Sequence, residues 1–379
     1  MKICIIRNAE SRTNAAISRI LDALLSNGKE CLLLTRSRFN SEKGVIKKDH
    51  YFGNQVIDNY EINIKTEMGR GFLNLFQLVY YQFVVLKWVI SNKDEFDIIH
   101  SFDLDSGLPV FIASKIIHKK YVYHIADFYV DSRGGIPNIL KKALKKLEYT
   151  VIANSETTIV CTEERKEQIK GSKPKKLVVI HNTPSIKVNI SEQNSSTDNI
   201  CDKKITFAYV GGLTEKRFIK SIIDIFKQHD EFNLELAGMG ELSNYVKQAS
   251  QEHENINYHG MINYNEALVL YSKCDVMFAI YDPIVPNHRY SAPNKVYEAM
   301  MLGKPIIVAR NTSVDKIVEK EDIGFAIDYT KEDFEYILSI ISDDKSILKK
   351  YEQNTLEVYN KYSWEEMKRR LVDIYDNIY

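Results

Sequence analysis

Short apolar runs rich in β-branched and aromatic residues alternate with stretches of helical period from one end of the chain to the other, the pattern of parallel sheets covered by helices on both faces. In the first half the runs predict strands at 2–6, 31–34, 98–100, 121–125, 158–161 and 177–180. The first helix is well marked. Thr13 or Asn14 can cap it, Ile17, Ile20, Leu21, Leu24 and Leu25 form one apolar stripe, and Gly28 ends it. Residues 185–203 then lose all periodicity and turn Ser, Asn and Asp rich, as a connection between domains does. Beyond them the alternation restarts, with strands predicted at 205–210, 234–237, 256–259, 276–280, 306–309 and 325–327. The pattern therefore predicts an α/β protein of two Rossmann-like domains, 1–184 and 204–360, joined by a linker. A last helix in 361–379 carries Met367, Leu371, Ile374 and Ile378 on one face.

Length agrees with this division, since 379 residues exceed what one hydrophobic core usually serves. Lys plus Arg equals Asp plus Glu, 51 each, so no global field recruits nucleic acid, and any acidic or membrane partner must meet a local patch. Cys4, Cys31, Cys161, Cys201 and Cys274 lie far apart without metal-ligand spacing and read as free thiols of a reducing compartment. The apolar run before Arg7 is too short for a signal peptide, so the expected location is the cytoplasm.

Residues 291–308, SAPNKVYEAMMLGKPIIV, carry the most chemistry. Ser291, Ala292 and Pro293 make an extended turn, a short helix bears one carboxylate at Glu298, Gly303 stops it, and a strand follows. A loop opening into a helix leaves backbone N–H groups unpaired, and with Asn294 and Lys295 beside them it offers a phosphate a seat. Glu298, one turn further in, is set to accept hydrogen bonds from a ribose. Taken alone, the segment also fits an ordinary strand–helix unit with a surface glutamate.

This pattern resembles the donor-nucleotide segment of family 4 glycosyltransferases of the GT-B fold. The resemblance implies two Rossmann-like domains facing a central cleft, a C-terminal helix crossing back to the first domain, and a helix-borne glutamate on the ribose of a nucleotide sugar. It extends to YVGGLTEKRF, where Gly211 and Gly212 match the family's glycine-rich donor loop. Relatives carry an arginine directly after the first glycine, where this chain has Gly212. Their next cation is best matched by Arg217, with Lys216 the near alternative. A second family glutamate would fall on Tyr290, which leaves His288, Arg289 and Lys295 as candidate phosphate or sugar ligands. Residues 235–243, ELAGMGELS, hold Gly238 and Gly240 but Ser243 in place of the third glycine of a dinucleotide fingerprint. In the family this stretch lines the donor pocket, and the backbone at Met261 and Ile262 faces the base, while Pro293 and Asn294 belong to the donor segment.

On the acceptor side, DIIHSFDLDSGLP and YVYHIADFYVDSRG resemble the family's strand-end segments, which places His100, Asp103, Asp105, His124 and Asp127 towards the cleft. Asp127 is the first candidate for the base that takes the acceptor proton, or for an acceptor clamp, and His124 the second. A turn or helix-cap role is the alternative for Asp127. Ala126 stands where many relatives have histidine, and the first loop, RNAESRTNAA, lacks their glycine pair, so Arg7, Ser11, Arg12, Thr13 and Asn14 either contact a ligand or cap the helix. HNTP at 181–184 resembles the family's ending of the first domain. No cofactor and no metal is expected, because cations and helix N–H groups can hold the leaving diphosphate; Asp103-x-Asp105 is assigned to the acceptor side.

Two stretches bear on membranes. Residues 71–90 are the most apolar, but Asn74, Gln77, Gln82 and Lys87 interrupt them, and a lysine at depth costs about 2.5–3.5 kcal/mol, so a buried or interfacial helix is expected rather than a span. NILKKALKKL at 138–147 interleaves Lys141, Lys142, Lys145 and Lys146 with apolar residues and fits either a helix lying on anionic lipid or a solvated face. With these stretches, the resemblance implies a hexosyltransferase-type enzyme moving a sugar from a nucleotide-sugar donor to a glycan, lipid-linked acceptor in bacterial capsule or O-antigen assembly, at the inner face of the membrane. A non-hydrolysing nucleotide-sugar epimerase and a catalytically idle partner of an active transferase are the alternatives.

Overall fold

The structure, a computed structural model, describes residues 1–12, 14–38, 44–65, 71–133, 135–185 and 204–378, with the backbone alone at 71–75. The chain divides into two compact units, Met1–Ile180 with Met367–Tyr379, and His181–Glu366. The expected linker and Thr13 lie outside the described residues, apart from residue 185.

The first unit is built on eight strands: β1 (Lys2–Ile6), β2 (Glu30–Ser37), β3 (Gly44–Phe52), β4 (Gln55–Asn63), β5 (Ile98–Phe102), β6 (Tyr121–Ile125), β7 (Thr157–Val160) and β8 (Leu177–Val179). They lie in the order β3-β4-β2-β1-β5-β6-β7-β8, parallel throughout except for the β3–β4 hairpin. β5 and β6 are buried on both faces, as their unbroken apolar or uncharged composition requires. The helix Ala15–Leu25 begins where Asn14 accepts the backbone N–H of Ile17 at 3.2 Å, and it buries Ile17, Ile20, Leu21 and Leu24 against the sheet. The second unit repeats the plan with β9 (Ile205–Val210), β10 (Phe232–Ala237), β11 (Ile256–Tyr258), β12 (Val276–Ala279), β13 (Ile306–Ala309) and β14 (Gly324–Ile327), ordered β11-β10-β9-β12-β13-β14 and wholly parallel. Its core gathers Phe207, Phe226, Phe232 and Phe334 in edge and tilted ring contacts.

All of the expected strands form, and β3 and β4 are additional. In both sheets the strand order reverses beside the first strand, between β1 and β5 and between β9 and β12. Crevices at the carboxyl ends of such strands are where doubly wound folds bind ligands. The last helix, Trp364–Asp376, carries the chain back to the first unit, burying Met367, Leu371, Ile374 and Tyr375. Lys29 pairs with Asp376 at 2.5 Å, and Arg370 donates to the carbonyl of Val179 at 3.3 Å.

One boundary differs from expectation. Residues 181–183 belong to the second unit rather than the first, because their side chains are fastened there: His181 to the Tyr297 hydroxyl at 3.0 Å, Asn182 to the carbonyl of Ala292 at 2.9 Å, and Thr183 to that of Tyr362 at 2.5 Å. Two of these bonds brace the start and body of the helix Asn294–Leu302. Cys4, Cys31, Cys161 and Cys274 are buried free thiols, and burial pushes each of them above the ordinary thiol range. Among the described residues no helix is long and apolar enough to cross a membrane.

Candidate functional site

A cavity of about 350 Å³ opens at the reversal point of the second sheet, lined by the ends of β9 and β12 and by the helices Tyr264–Lys273 and Asn294–Leu302. Of the residues expected at a donor site it gathers Gly212, Arg217, Asn294, Lys295 and Glu298. Glu298 is only 5% exposed and accepts the Tyr264 hydroxyl at 3.1 Å. Lys295 and Glu298, three residues apart, share one face of their helix, and Pro293 at its N-cap supplies no side-chain cap to the first-turn N–H groups.

The two cations stand on aromatic faces. Arg217 Cζ lies 3.6 Å from the ring centre of Tyr281, and Lys295 Nζ 4.7 Å from that of Tyr209. Burial pulls the Lys295 ammonium down, but the Tyr281 and Tyr209 phenols and the Glu298 carboxylate outweigh it and hold its pKa above the ordinary value. Two fixed positive charges and one carboxylate thus line a single pocket walled by tyrosines. Such a set can neutralise a diphosphate at one end and hold vicinal hydroxyls at the other.

The glycines are explained by backbone crossing. Gly211 sits at φ 155° with its N–H on the carbonyl of Ala237 at 3.0 Å, and a Cβ on Gly238 would stand 1.8 Å from the carbonyl oxygen of Gly211. Gly238 and Gly240 therefore let the loop after β10 pack on the loop after β9, a structural use for the glycines of the partial fingerprint. At Gly212, which lines the cavity, an added Cβ would meet nothing within 4 Å, so the position is open.

Several expected residues are held elsewhere. Lys216 bonds Asp282 at 2.8 Å and fastens the β9 loop to the β12 loop; burial works against the Asp282 carboxylate, yet Lys216 and the Ile284 N–H hold its pKa below the usual range. Gly211 and Pro293, and Met261 and Ile262 after β11, are not among the lining residues. Met261 is 75% exposed. His288 and Arg289 turn to backbone carbonyls, His288 Nδ1 to Asp282 at 3.0 Å and Arg289 Nε to Pro283 at 2.9 Å. Sequence reasoning missed Tyr209, Val210, Tyr264, Ala267, Tyr271 and Tyr281. A tyrosine at or just past the end of a predicted strand was the available signal for Tyr209 and Tyr281.

At the reversal point of the first sheet the expected acceptor residues separate into structural and exposed groups. His100 is wholly buried between the Tyr375 hydroxyl and His124, and burial drives its pKa down to about 3. His124 stacks on Phe102 and is likewise pushed well below the imidazole range by burial. Both imidazoles thus stand in a buried contact that, through His100 and Tyr375, docks the last helix on the sheet, rather than on an open surface as expected. Asp103, at φ 51°, accepts the backbone N–H groups of Ala126 at 2.8 Å and Asp127 at 2.9 Å, tying the ends of β5 and β6 together; burial raises it to about 6 against the pull of Arg7. Asp105 is taken by Arg133 at 2.8 Å and by the Asn8 amide at 3.0 Å. Asp127 alone of the five keeps its side chain largely in solvent, at 56%, with Arg165 Nη2 3.9 Å away. Arg7 lies over Phe102 at 4.4 Å, with a buried Nη1 that has no hydrogen-bond partner among the described residues. Among the described residues no cluster of three or more His, Cys, Asp or Glu side chains could hold a metal ion.

Residues 191–358 match the model of the family described as glycosyl transferases group 1. An uncharacterised glycosyltransferase of Methanocaldococcus jannaschii is 23% identical over 319 residues, 76% of each chain. Among solved structures, sucrose-phosphate synthase from Thermosynechococcus elongatus superposes with a TM-score of 0.75 at 16% identity, covering 100% of this chain and 99% of that one. HepE of Anabaena, in complex with UDP and glucose, gives 0.69 at 14% identity with both chains covered completely. The chain has the GT-B fold, and the part of it that builds the cavity is the part that matches the glycosyl transferases group 1 family.

Proposed function

We propose that the protein is a glycosyltransferase that binds a nucleotide-diphosphate sugar in the cavity of its second unit and passes the sugar, a hexose, to a glycan hydroxyl. The observation that carries this reading is the convergence of Arg217, Lys295 and Glu298 on one pocket at the strand reversal point. In it Arg217, Lys295 and the first-turn N–H groups of Asn294–Leu302 stabilise the diphosphate as it leaves, and Glu298, oriented by Tyr264, accepts the ribose hydroxyls. No divalent metal is assigned a part. Asp127 is the group we assign to the acceptor hydroxyl, since its carboxylate reaches solvent at a strand end while Asp103 fixes its backbone. A lipid-linked acceptor in bacterial surface-polysaccharide assembly, met in the cytoplasm, is the finer form of the reading. It draws on the resemblance of the strand-end segments and on the exposed aromatic residues of Gly71–Ser91 and the lysines of Asn138–Asn154.

Calorimetric titration with a panel of nucleoside diphosphates tests the donor site. Losing a charge-assisted hydrogen bond costs about 1.5–3 kcal/mol, so Glu298→Ala is expected to weaken binding about tenfold or more. Unchanged affinity in a folded variant would overturn the assignment, and activity that chelation abolishes and magnesium restores would overturn the metal-free part.

A further inference from the structure

The helix Gly71–Ser91 is apolar on two sides. Tyr81, Val85, Trp88 and Val89 face the core and are at most 8% exposed, whereas Phe76, Val79, Tyr80 and Phe83 stand 64%, 57%, 55% and 61% in solvent. Their spacing of three and four places them on one stripe that ends at exposed Lys87. The helix Asp103–Ile117 packs beside it and adds Ile112 and Ile116, 40% and 55% exposed. Isolated exposed apolar residues are ordinary, but four large ones on one helix stripe mark a contact surface.

Charge indicates what the surface meets. Lys87 and Lys115 lie on these two helices, and the helix Asn138–Asn154, packed on the second of them, brings Lys141, Lys142, Lys145 and Lys146. The carboxylates of the three helices are Asp103, Asp105 and Glu148, and all are engaged within the protein: Asp103 by two backbone N–H groups, Asp105 by Arg133, and Glu148, fully buried, by Tyr123 and Tyr129. In a chain with 51 charges of each sign, this face is apolar and cationic with no solvated carboxylate on its helices. A second copy of the same face would bring like charges together.

We propose that this face seats the first unit on an anionic lipid surface, with the stripe from Phe76 to Phe83 entering the headgroup region and the lysines meeting lipid phosphates. Residues 138–147 supply the lysines together with exposed Ile139 and Leu140, 86% and 48% in solvent, while Leu144 and Leu147 turn partly inward, and the aromatic stripe comes from the helix Gly71–Ser91. The inference does not depend on the donor-site reading.

Co-sedimentation of the full chain with phosphatidylglycerol and with phosphatidylcholine vesicles tests it. Binding is expected to phosphatidylglycerol, to weaken as salt rises, and to fall about tenfold or more in Phe83→Ser and in Val79→Ser, with the thermal melt and nucleoside diphosphate affinity unchanged. Changing Lys141, Lys142, Lys145 and Lys146 to glutamine is expected to lose low-salt binding. No binding, equal binding to phosphatidylcholine, or loss on Phe83→Ser of a dimer seen by sedimentation velocity without effect on vesicles would each overturn the proposal. The last result would assign the face to a second copy of the chain.

Discussion

Arg217 and Lys216 are adjacent, carry the same charge and flank the same glycine turn, yet the structure sends them to different work. Arg217 reaches the cavity across the face of Tyr281, and Lys216 is committed to Asp282. Arg217→Ala is therefore expected to weaken a nucleoside diphosphate about tenfold while leaving the bare nucleoside unaffected. Lys216→Ala is expected to lower the melting temperature without changing the discrimination between the two ligands. Titration of both ligands against both variants checks this, and the reverse pattern would exchange the roles. The sequence exposed the pair as cations after a glycine turn, but which one reached the cavity depended on Asp282, distant in the chain and brought near by the sheet. The same limit hid the burial of His100 and His124: at strand ends a histidine reads equally as ligand or as core, and only the returning Tyr375 decides.

At the scale of elements, legibility followed burial. Strands buried on both faces are continuous apolar runs and were read with small errors at their ends, as with β6, whose bounds were met in full. The β3–β4 hairpin went unread because β3 is a largely exposed edge strand whose Lys47, Lys48 and Asp49 interrupt the apolar run, although the two-residue turn at Gly53 and Asn54 is a hairpin signal. Helix seating is also where buried charge matters. Glu148 fastens the helix Asn138–Asn154 to β6 by accepting the Tyr123 hydroxyl at 2.8 Å, and burial raises its pKa to about 8. A carboxyl with a raised folded pKa contributes stability below its unfolded pKa, about 4.3, and loses it as pH climbs through about 8. Between pH 7 and 8 the buried His100 and His124 are neutral when folded and largely neutral when unfolded, so they contribute little there. Stability is expected to fall by about 1 kcal/mol across that interval, and Glu148→Gln, which still accepts from Tyr123, is expected to flatten the slope. Denaturant titrations at the two pH values check it, and equal slopes in both proteins would refute it.

For the whole molecule, the decisive feature is that the chain enters the second unit after Ile180 and leaves it before Met367. Leu371, fully buried in the first unit, is far in sequence from the strands it covers, while every residue lining the cavity belongs to the other unit. A charge at Leu371 should cost about 3 kcal/mol or more, so Leu371→Asp is expected to shift one calorimetric transition down and leave the other in place. A single transition moving as a whole would show that the two units unfold together. The same threading sets an order of events as the protein is made. Emerging from the ribosome, β1 to β8 must wait with His100 and its apolar neighbours uncovered while 181–366 are synthesised, since the helix that closes over them is translated after that stretch. The unit that comes second in sequence is thus the first that can be completed, and the long interval in which the earlier strands stand open is where this chain would most need a chaperone.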